Sequence, residues 1–344
     1  MTATRVRART TAPRRATVRG LVLAAVPLAV LAGCATPLPQ ATPEPVPAVP
    51  PPAVSVAQSQ RVLDAVAEVV AAGDVANDAA GLPARLEGPA LAIRTAEYVR
   101  NAATEGGRPP TVLPFEEQAL IVPETDAWPR TQLVVTEQPD DLQAPRILVL
   151  RQDGPRDPYR MWGWARLLPG VTMPPTAAPE VGSPTLAPDA EGLLMTPAEA
   201  LTQYTDVLTH GDGSSFAGSF APDAFRTAVE SERAERATPL GDAATLTQSY
   251  QAGAEPVVAL QTVDGGAIVV GELSTTTTFA LTEPGGKIDV EPFYSRLAGG
   301  ATTAGTSLTR VFGGVVVMYV PPAGSGAQVQ VLAGEQAVTG ASVQ

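Results

Sequence analysis

The chain contains two similar stretches, VLDAVAEVVAAGD at residues 62–74 and ALTQYTDVLTHGD at residues 200–212. Matched apolar residues recur in both at intervals of three or four, namely Leu63, Val66 and Val70 in the first and Leu201, Tyr204 and Leu208 in the second. This spacing predicts one amphipathic helix in each stretch. Thr196, Pro197 and Glu199 precede the second helix as an N-cap, a first-turn proline and a capping-box acid.

Two further matches follow in the same order. Residues 92–96 (AIRTA) are similar to residues 224–228 (AFRTA), and residues 160–163 (RMWG) are similar to residues 310–313 (RVFG). Three matches in one order favour a divergent internal repeat. Coincidence in a sequence rich in alanine and glycine is the alternative. A loop rich in proline, alanine and glycine, residues 171–192, is expected to link the two halves.

Strand-like segments follow the helical part of each half, and they alternate or are rich in β-branched residues. They are Gln118–Val122, Arg130–Glu137, Arg146–Gln152 and Arg160–Leu168 in the first half, and Val257–Val263, Ala267–Leu281, Lys287–Glu291, Ser307–Val320 and Gln328–Leu332 in the second. Asp264-Gly265-Gly266 predicts a hairpin turn. The order predicts an α+β fold with two tandem domains, residues 58–170 and 193–344, each with helices on one face of an antiparallel sheet.

The amino-terminal region has the pattern of an export signal. Six arginines and no acid lie in the first 20 residues, and a short apolar run ends in Leu31-Ala32-Gly33-Cys34. This ending resembles the lipobox of bacterial lipoproteins, in which a diacylglycerol is attached to the cysteine thiol. It predicts a signal peptide over residues 1–33 and a lipid anchor on Cys34. An ordinary secretory signal with a chance cysteine is the alternative.

The segment after Cys34 predicts a spacer. Residues 34–57 contain eight prolines, which favour an extended polyproline-like tether. The body is therefore expected to stand off the extracytoplasmic face of the cell membrane, held by the lipid. A docking site for a proline-binding partner is the alternative use of this segment.

Two resemblances extend these expectations. Each half resembles the curved cone fold of the nuclear-transport-factor-2 and ketosteroid-isomerase superfamily, whose enzymes place acids in the cone cavity. The whole chain resembles a family of uncharacterised cell-surface lipoproteins from GC-rich Gram-positive bacteria. That resemblance rests on the lipobox, the proline tether and the stretch MWGWAR at residues 161–166 before a proline-rich loop. It implies a place at the cell surface and no particular chemistry.

The charge of the body argues against polyanionic partners. The full sequence has 23 basic and 35 acidic residues. Loss of residues 1–33 removes six arginines and no acid, which leaves 17 basic and 35 acidic residues and a formal charge of −18. Such a body repels nucleic acid and anionic lipid. We therefore expect no nucleic-acid binding and membrane contact only through Cys34.

Residues with catalytic side chains are few and have structural explanations. His210, the only histidine, lies at a predicted helix end, where the helix dipole favours it. Asp74 and Asp212 each follow a glycine at the end of a predicted helix, where aspartate commonly forms turns. No spacing typical of a metal site, a phosphate loop or a nucleophile elbow is visible, and no cofactor or metal is expected.

The residues considered for binding lie in the third matched stretch. On a strand, Trp162 and Trp164 are expected to share one face, either as an aromatic platform or as core. The core is favoured because Phe312 matches Trp162 in the second half. Arg160 and Arg310 flank these strands and are expected to pair with acids on neighbouring strands.

Two functional classes remain. The first is a non-catalytic module that binds an envelope protein, a wall polymer or a small ligand. The second is an enzyme of the cone superfamily that acts on a small molecule in one cavity. A cavity holding Tyr, Asp and His side chains together favours the enzyme. A cavity filled by its own apolar side chains argues against it and directs attention to the interface between the halves.

Cys34 provides the first test. Replacement of Cys34 by Ala removes the only thiol, so the protein is expected either to enter the medium or to remain uncleaved. Fractionation and the mass of the protein measure both outcomes. Normal processing with unchanged membrane retention would contradict lipidation.

Overall fold

A computed structural model describes residues 51–139 and 143–344. The predicted signal peptide, Cys34 and the tether up to residue 50 lie outside the described residues. The body contains five α-helices within these ranges, namely α1 (Val56–Ala76), α2 (Gly88–Ala103), α3 (Pro197–His210), α4 (Ala224–Ala237) and α5 (Pro292–Leu297). The predicted capping box at Thr196 and Glu199 is present at the start of α3, and Gly211 ends this helix with a φ of 61°. Gly73 is instead buried within α1, which extends to Ala76 and is capped by Asn77.

One mixed sheet contains eleven of the described strands. In chain order the thirteen described strands are β1 (Glu117–Ile121), β2 (Pro123–Glu124), β3 (Arg130–Thr136), β4 (Arg146–Gln152), β5 (Arg160–Leu167), β6 (Ser183–Leu186), β7 (Ala244–Ala252), β8 (Val258–Gln261), β9 (Ala267–Leu281), β10 (Ile288–Asp289), β11 (Thr303–Ala304), β12 (Ser307–Val320) and β13 (Gln330–Val343). β10 and β11 form a separate pair. The predicted α+β class and the predicted positions of β4, β9 and β12 are confirmed.

The large sheet is nearly closed. Its strands follow the order β1-β3-β4-β5-β13-β12-β9-β8-β6-β2, with β7 paired to the far end of β9. β1 and β2 therefore lie at opposite ends of this order, although only Val122 separates them in the chain. Because one residue links the two ends, the sheet must curve back on itself.

Strands from both predicted halves form this sheet. In each half, two helices precede four strands in an antiparallel meander, β1-β3-β4-β5 and then β7-β9-β12-β13. The two meanders join where β5 pairs with β13. The junction is short, because only Leu167 and Arg166 face Ala333 and Gly334. α2 packs against both β5 and β13, where these strands diverge.

The matched stretches make matching contacts in the two halves. Asp74 lies at the end of α1, and its carboxylate is 3.7 Å from the Nε atom of Arg94 on α2. Asp212 follows α3 and forms an ion pair with Arg226 on α4. The sequence comparison aligns these two aspartates with each other and these two arginines with each other. In each half the matched pair therefore ties the second helix to the end of the first.

The inner face of the curved sheet is filled by an apolar core that both halves supply. This core consists only of strand residues, namely Ile121, Leu133, Val135, Ile147, Val149, Trp162, Ala165, Leu260, Ile268, Val270, Val315, Val317, Leu332 and Ala333. Separate cores lie between the sheet and the helices. The one under α1 contains Leu63, Val66 and Val70, and the one under α3 contains Leu201, Tyr204 and Leu208. The predicted apolar stripes are thus buried.

Two predicted boundaries differ from the structure. Val54 is buried in the core under α1, Ala53 donates a hydrogen bond to Pro123, and Ser55 caps α1. The fold therefore includes residues that were predicted to belong to the tether. The predicted linker 171–192 contains β6, which pairs with β2 and β8. Proline-rich sequence masked this strand, because β6 lies near an end of the sheet, where proline is tolerated.

Gly163 on β5 tests the contact between the halves. A Cβ atom at this position would lie 2.6 Å from a methyl group of Val315 on β12. Gly163→Ala is therefore expected to lower the free energy of unfolding by about 1–3 kcal/mol, measured by chemical denaturation. Gly305→Ala is the control, since its added methyl group meets no atom within 4 Å. An equal loss in both variants would contradict this packing.

Candidate functional site

Trp162 and Trp164 do not form one platform. A β-bulge places two residues of β5, Met161 and Gly163, opposite consecutive residues of β4, so that Trp162 is the extra residue. Trp162 therefore packs in the inner core, while Trp164 packs under α1 and α2. The expectation of a shared face is wrong because the bulge breaks the alternation of side chains. Both rings are buried, at 5% and 1% exposure.

The two flanking arginines have different surroundings. The Nη1 atom of Arg160 lies 3.2 Å from a carboxylate oxygen of Glu87 and 3.9 Å from one of Asp153. Arg310 has no ion pair with a described carboxylate. Its guanidinium lies over two aromatic rings, 3.9 Å from the centroid of Tyr294 and 4.7 Å from that of Phe279. The expectation of an acidic partner thus fails for Arg310, where cation–π contacts replace it.

His210 and the paired aspartates are not gathered into one cavity. His210 ends α3, is exposed, and has its Nδ1 atom 3.1 Å from Asp206. Asp74 accepts a hydrogen bond from the hydroxyl of Tyr98 at 2.7 Å. Burial raises the pKa of Tyr98, and the hydrogen bond to Asp74 and the negative charge of Asp74 raise it further. Asp74 and Asp212 therefore hold helices together.

A groove lies at the boundary of the two halves, along β13 and beside α4. It consists of a cavity of about 490 Å³ and a neighbouring one of about 200 Å³, and Glu232 and Gln336 line both. The larger cavity is bounded by Phe225 and Val229 of α4 and by Arg166 at the end of β5. α2 and α5 bound the smaller one. We call this the β13 groove.

A buried ion pair lies beside the larger cavity, which one of its members, Glu335, lines. The Nη1 atom of Arg146 is 2.9 Å from the carboxylate of Glu335, and the side chain of Arg146 is only 5% exposed. Burial raises the pKa of Glu335, while the charges of Arg146 and Arg166 act in the opposite direction. The side chain of Arg166 is exposed and makes no hydrogen bond or ion pair with the described residues. It therefore presents at this cavity a cation that no described residue pairs with.

The smaller cavity is lined by charged side chains that are held in ion pairs and by aromatic side chains. Arg236 forms an ion pair with Glu232 at 2.9 Å and lies 5.9 Å from the ring centroid of Phe312. Glu97 is buried and accepts hydrogen bonds from Arg94 and Arg100. The groove thus offers cations, carboxylates and apolar surface within one channel.

This arrangement suits binding of a ligand that carries both charged and apolar groups. Charge-assisted hydrogen bonds to arginine and glutamate would orient such a ligand. Within the two described ranges, no group of three or more His, Cys, Asp or Glu side chains is arranged to hold a metal ion. None of the described helices combines the length and hydropathy needed to cross a bilayer.

No pattern in the sequence predicts the groove. Arg146, Arg166, Glu232 and Glu335 lie on three strands and a helix that are far apart in the chain. One indication was available for Arg146, which begins the strongly apolar strand RILVL at residues 146–150. A charge beside such a strand needs a partner once it is buried. Its partner Glu335 lies 189 residues further along the chain, and no sequence pattern indicates the pairing.

The Arg146–Glu335 pair predicts a pH-dependent loss of stability. Arg146→Met leaves the Glu335 carboxylate buried without its cation, so the pKa of Glu335 rises further. With this raised pKa the folded variant binds a proton more readily than the unfolded chain does. The loss of stability therefore becomes smaller as the pH falls through the raised pKa. We expect the free energy of unfolding to fall by about 3 kcal/mol near pH 7 and by clearly less near pH 5.

Arg151→Met on the same strand is the matched control. Arg151 pairs with Asp153 and Glu255, which are both more than a third exposed. Its loss is expected to cost at most about 1 kcal/mol, with little pH dependence between these values. Equal losses for Arg146→Met at the two pH values, measured by denaturant unfolding, would contradict the buried pair.

Comparison with known proteins gives one match. Residues 50–343 match a family described as Domain of unknown function (DUF8094). Comparison with curated proteins and with solved structures gives no match. The matched range covers both meanders, their helices and the β13 groove. The chain therefore belongs to the DUF8094 family, whose characteristic domain extends over the whole described body.

Proposed function

We propose that this protein is a lipid-anchored module on the extracytoplasmic face of the cell membrane, which binds a ligand or partner in the β13 groove without transforming it. The β13 groove carries this proposal, because it combines the free cation of Arg166 with the carboxylates of Glu232 and Glu335. The lipobox at residues 31–34 and the proline-rich segment that follows it support the anchor.

The packing of the sheet supports a site outside its inner face. All fourteen residues of the inner core are apolar, and the largest of them, Trp162, is 5% exposed. Apolar side chains also fill the layers between the sheet and α1 and between the sheet and α3. The groove, by contrast, has a volume of about 490 Å³ in its larger part, which is typical of small-ligand sites.

We also propose that the two halves are duplicated modules related to the cone fold, within a family of surface lipoproteins from GC-rich Gram-positive bacteria. The matched ion pairs Asp74–Arg94 and Asp212–Arg226 support duplication, because two aligned residues meet in each half. Each half also has two helices followed by a four-stranded meander. Duplication would explain why the groove lies at a boundary between halves.

One observation favours an enzyme as the second candidate. Asp223 at the start of α4 lines a cavity of about 570 Å³ together with Arg226 and Glu230. Burial raises the pKa of Asp223 despite hydrogen bonds from Arg226 and Tyr204 that lower it. Perturbed carboxyl groups in a cavity are common at catalytic sites. Asp223 also caps α4, however, so its burial has a structural explanation.

Capture of the ligand tests the groove. The anchored protein is isolated from its own cell envelope, and the mass of any bound compound is measured for the wild type, Arg166→Glu and Arg296→Glu. Arg166 lies at the groove, whereas Arg296 is an exposed arginine on α5 outside it. We expect Arg166→Glu to reduce recovery at least about tenfold, since one lost charge-assisted contact has that effect. Arg296→Glu is expected to match the wild type.

The two candidate functions are then separated with the recovered compound. Incubation with fresh protein is expected to leave its mass unchanged if the protein only binds. A new mass that disappears with Asp223→Asn would support the enzyme. Equal recovery by Arg166→Glu and the wild type, or recovery of nothing above background, would argue against binding in the groove.

A further inference from the structure

A further cavity, separate from the β13 groove and from the cavity at Asp223, has an unusual charge composition for this acidic protein. It has a volume of about 460 Å³ and lies where the described chain begins, between the start of α1 and the ends of β3 and β4. Its lining includes Ala53, Arg61, Arg85, Trp128, Arg130 and Tyr159 and contains no acidic residue. Three of these are arginines, although acids outnumber basic residues in the whole sequence by 35 to 23.

The three arginines have no carboxylate partner among the described residues. Arg130 donates hydrogen bonds to the backbone carbonyls of Ala53 and Ala127, at 3.4 and 3.3 Å. Arg85 donates to the carbonyl of Tyr159 at 3.3 Å. The side chain of Arg61 is exposed and makes no hydrogen bond or ion pair in the described ranges. Backbone contacts thus position two of the guanidinium groups while leaving their charges uncompensated.

Aromatic groups complete the cavity. The Cζ atom of Arg130 lies 4.0 Å from the ring centroid of Trp128, which is 38% exposed. Arg130 thus holds the indole of Trp128 at the edge of the cavity, where its exposed part can contact the carbon skeleton of a ligand. Tyr159 is only 7% exposed, and its buried hydroxyl has no hydrogen-bond partner among the described residues. Such an unsatisfied buried hydroxyl calls for a further partner.

We propose that this cavity, which we call the Arg61–Arg130 pocket, binds the phosphate ester of a polyol or sugar. Guanidinium groups bind phosphate through paired, charge-assisted hydrogen bonds. The volume exceeds what a phosphate alone requires and leaves room for a polyol beside Trp128. This site shares no lining residue with the β13 groove, so the proposal does not depend on the proposed function.

Titration with a defined probe tests the pocket. Full-length protein in a neutral detergent is titrated with glycerol 3-phosphate, and the heat of binding is compared with that of glycerol. Saturable binding of the phosphate ester and none of glycerol is expected. Arg61→Gln and Arg130→Gln are each expected to weaken binding about tenfold, as for the loss of one charge-assisted contact. Arg296→Gln, an exposed arginine outside the pocket, is expected to have no effect.

Tryptophan fluorescence gives an independent measurement. The chain has three tryptophans, of which Trp162 and Trp164 are buried, so a soluble quencher acts mainly on Trp128. Glycerol 3-phosphate is expected to protect Trp128 from quenching in the wild type and much less in Arg61→Gln. Since Arg61 is exposed and unpaired, Arg61→Gln is expected to retain the wild-type fold, which circular dichroism verifies.

Two soluble phospholipids distinguish the source of the ligand. Binding of dihexanoyl phosphatidylglycerol, but not of dihexanoyl phosphatidylcholine, would identify a lipid headgroup. Binding of glycerol 3-phosphate alone would identify a free ester. Absence of saturable binding to any of these phosphates, wild-type affinity in both glutamine variants, or an equal loss in Arg296→Gln would overturn the proposal.

Discussion

The apolar core enclosed by the curved sheet is the constraint on which the rest of the structure depends. Strands from both halves supply it, and the short pairing of β5 with β13 brings the two meanders together around it. Gly163 shows how close the contact is, because no side chain fits between β5 and Val315. At about 25 cal/mol per Å² of buried apolar surface, such a core is a large stabilising contribution.

This core also determines where polar groups can lie. The inner core contains no charged side chain, and the buried ion pairs of the described residues lie in the outer layer, where helices and strand ends meet the sheet. Arg146 and Glu335 are held together at the boundary between halves, and Asp74 and Arg94 at the end of α1. The cavities of the protein lie in the same outer layer. We therefore expect a ligand to bind where helices and strand ends meet the sheet and not inside the curved sheet.

The uneven distribution of charge refines the expectation drawn from composition. A formal charge of −18 for the chain after residue 33 predicts repulsion of anions by the body as a whole. The pocket around Arg61, Arg85 and Arg130 has no acidic lining residue, so its lining carries the opposite charge to the body as a whole. Because salt screens charges over about 8–10 Å, a small anion in this pocket responds mainly to the nearby arginines.

The sequence by itself determined the local structure. Apolar spacing specified α1 and α3, a capping box marked the start of α3, and strand-like patterns located β4, β9 and β12, because these features depend on neighbouring residues. It missed β7, whose Thr, Gln and Ser residues mark an exposed edge strand and give no strong apolar alternation.

Only the tertiary structure decided how distant segments meet. It joined the two meanders in one sheet, separated Trp162 from Trp164 by a bulge, and paired Arg146 with Glu335. Such contacts depend on strand register and on the closure of the sheet, which residues near in sequence do not encode. The β13 groove and the Arg61–Arg130 pocket arise from these long-range contacts, whereas the lipidation predicted at Cys34 rests on a local motif at residues 31–34.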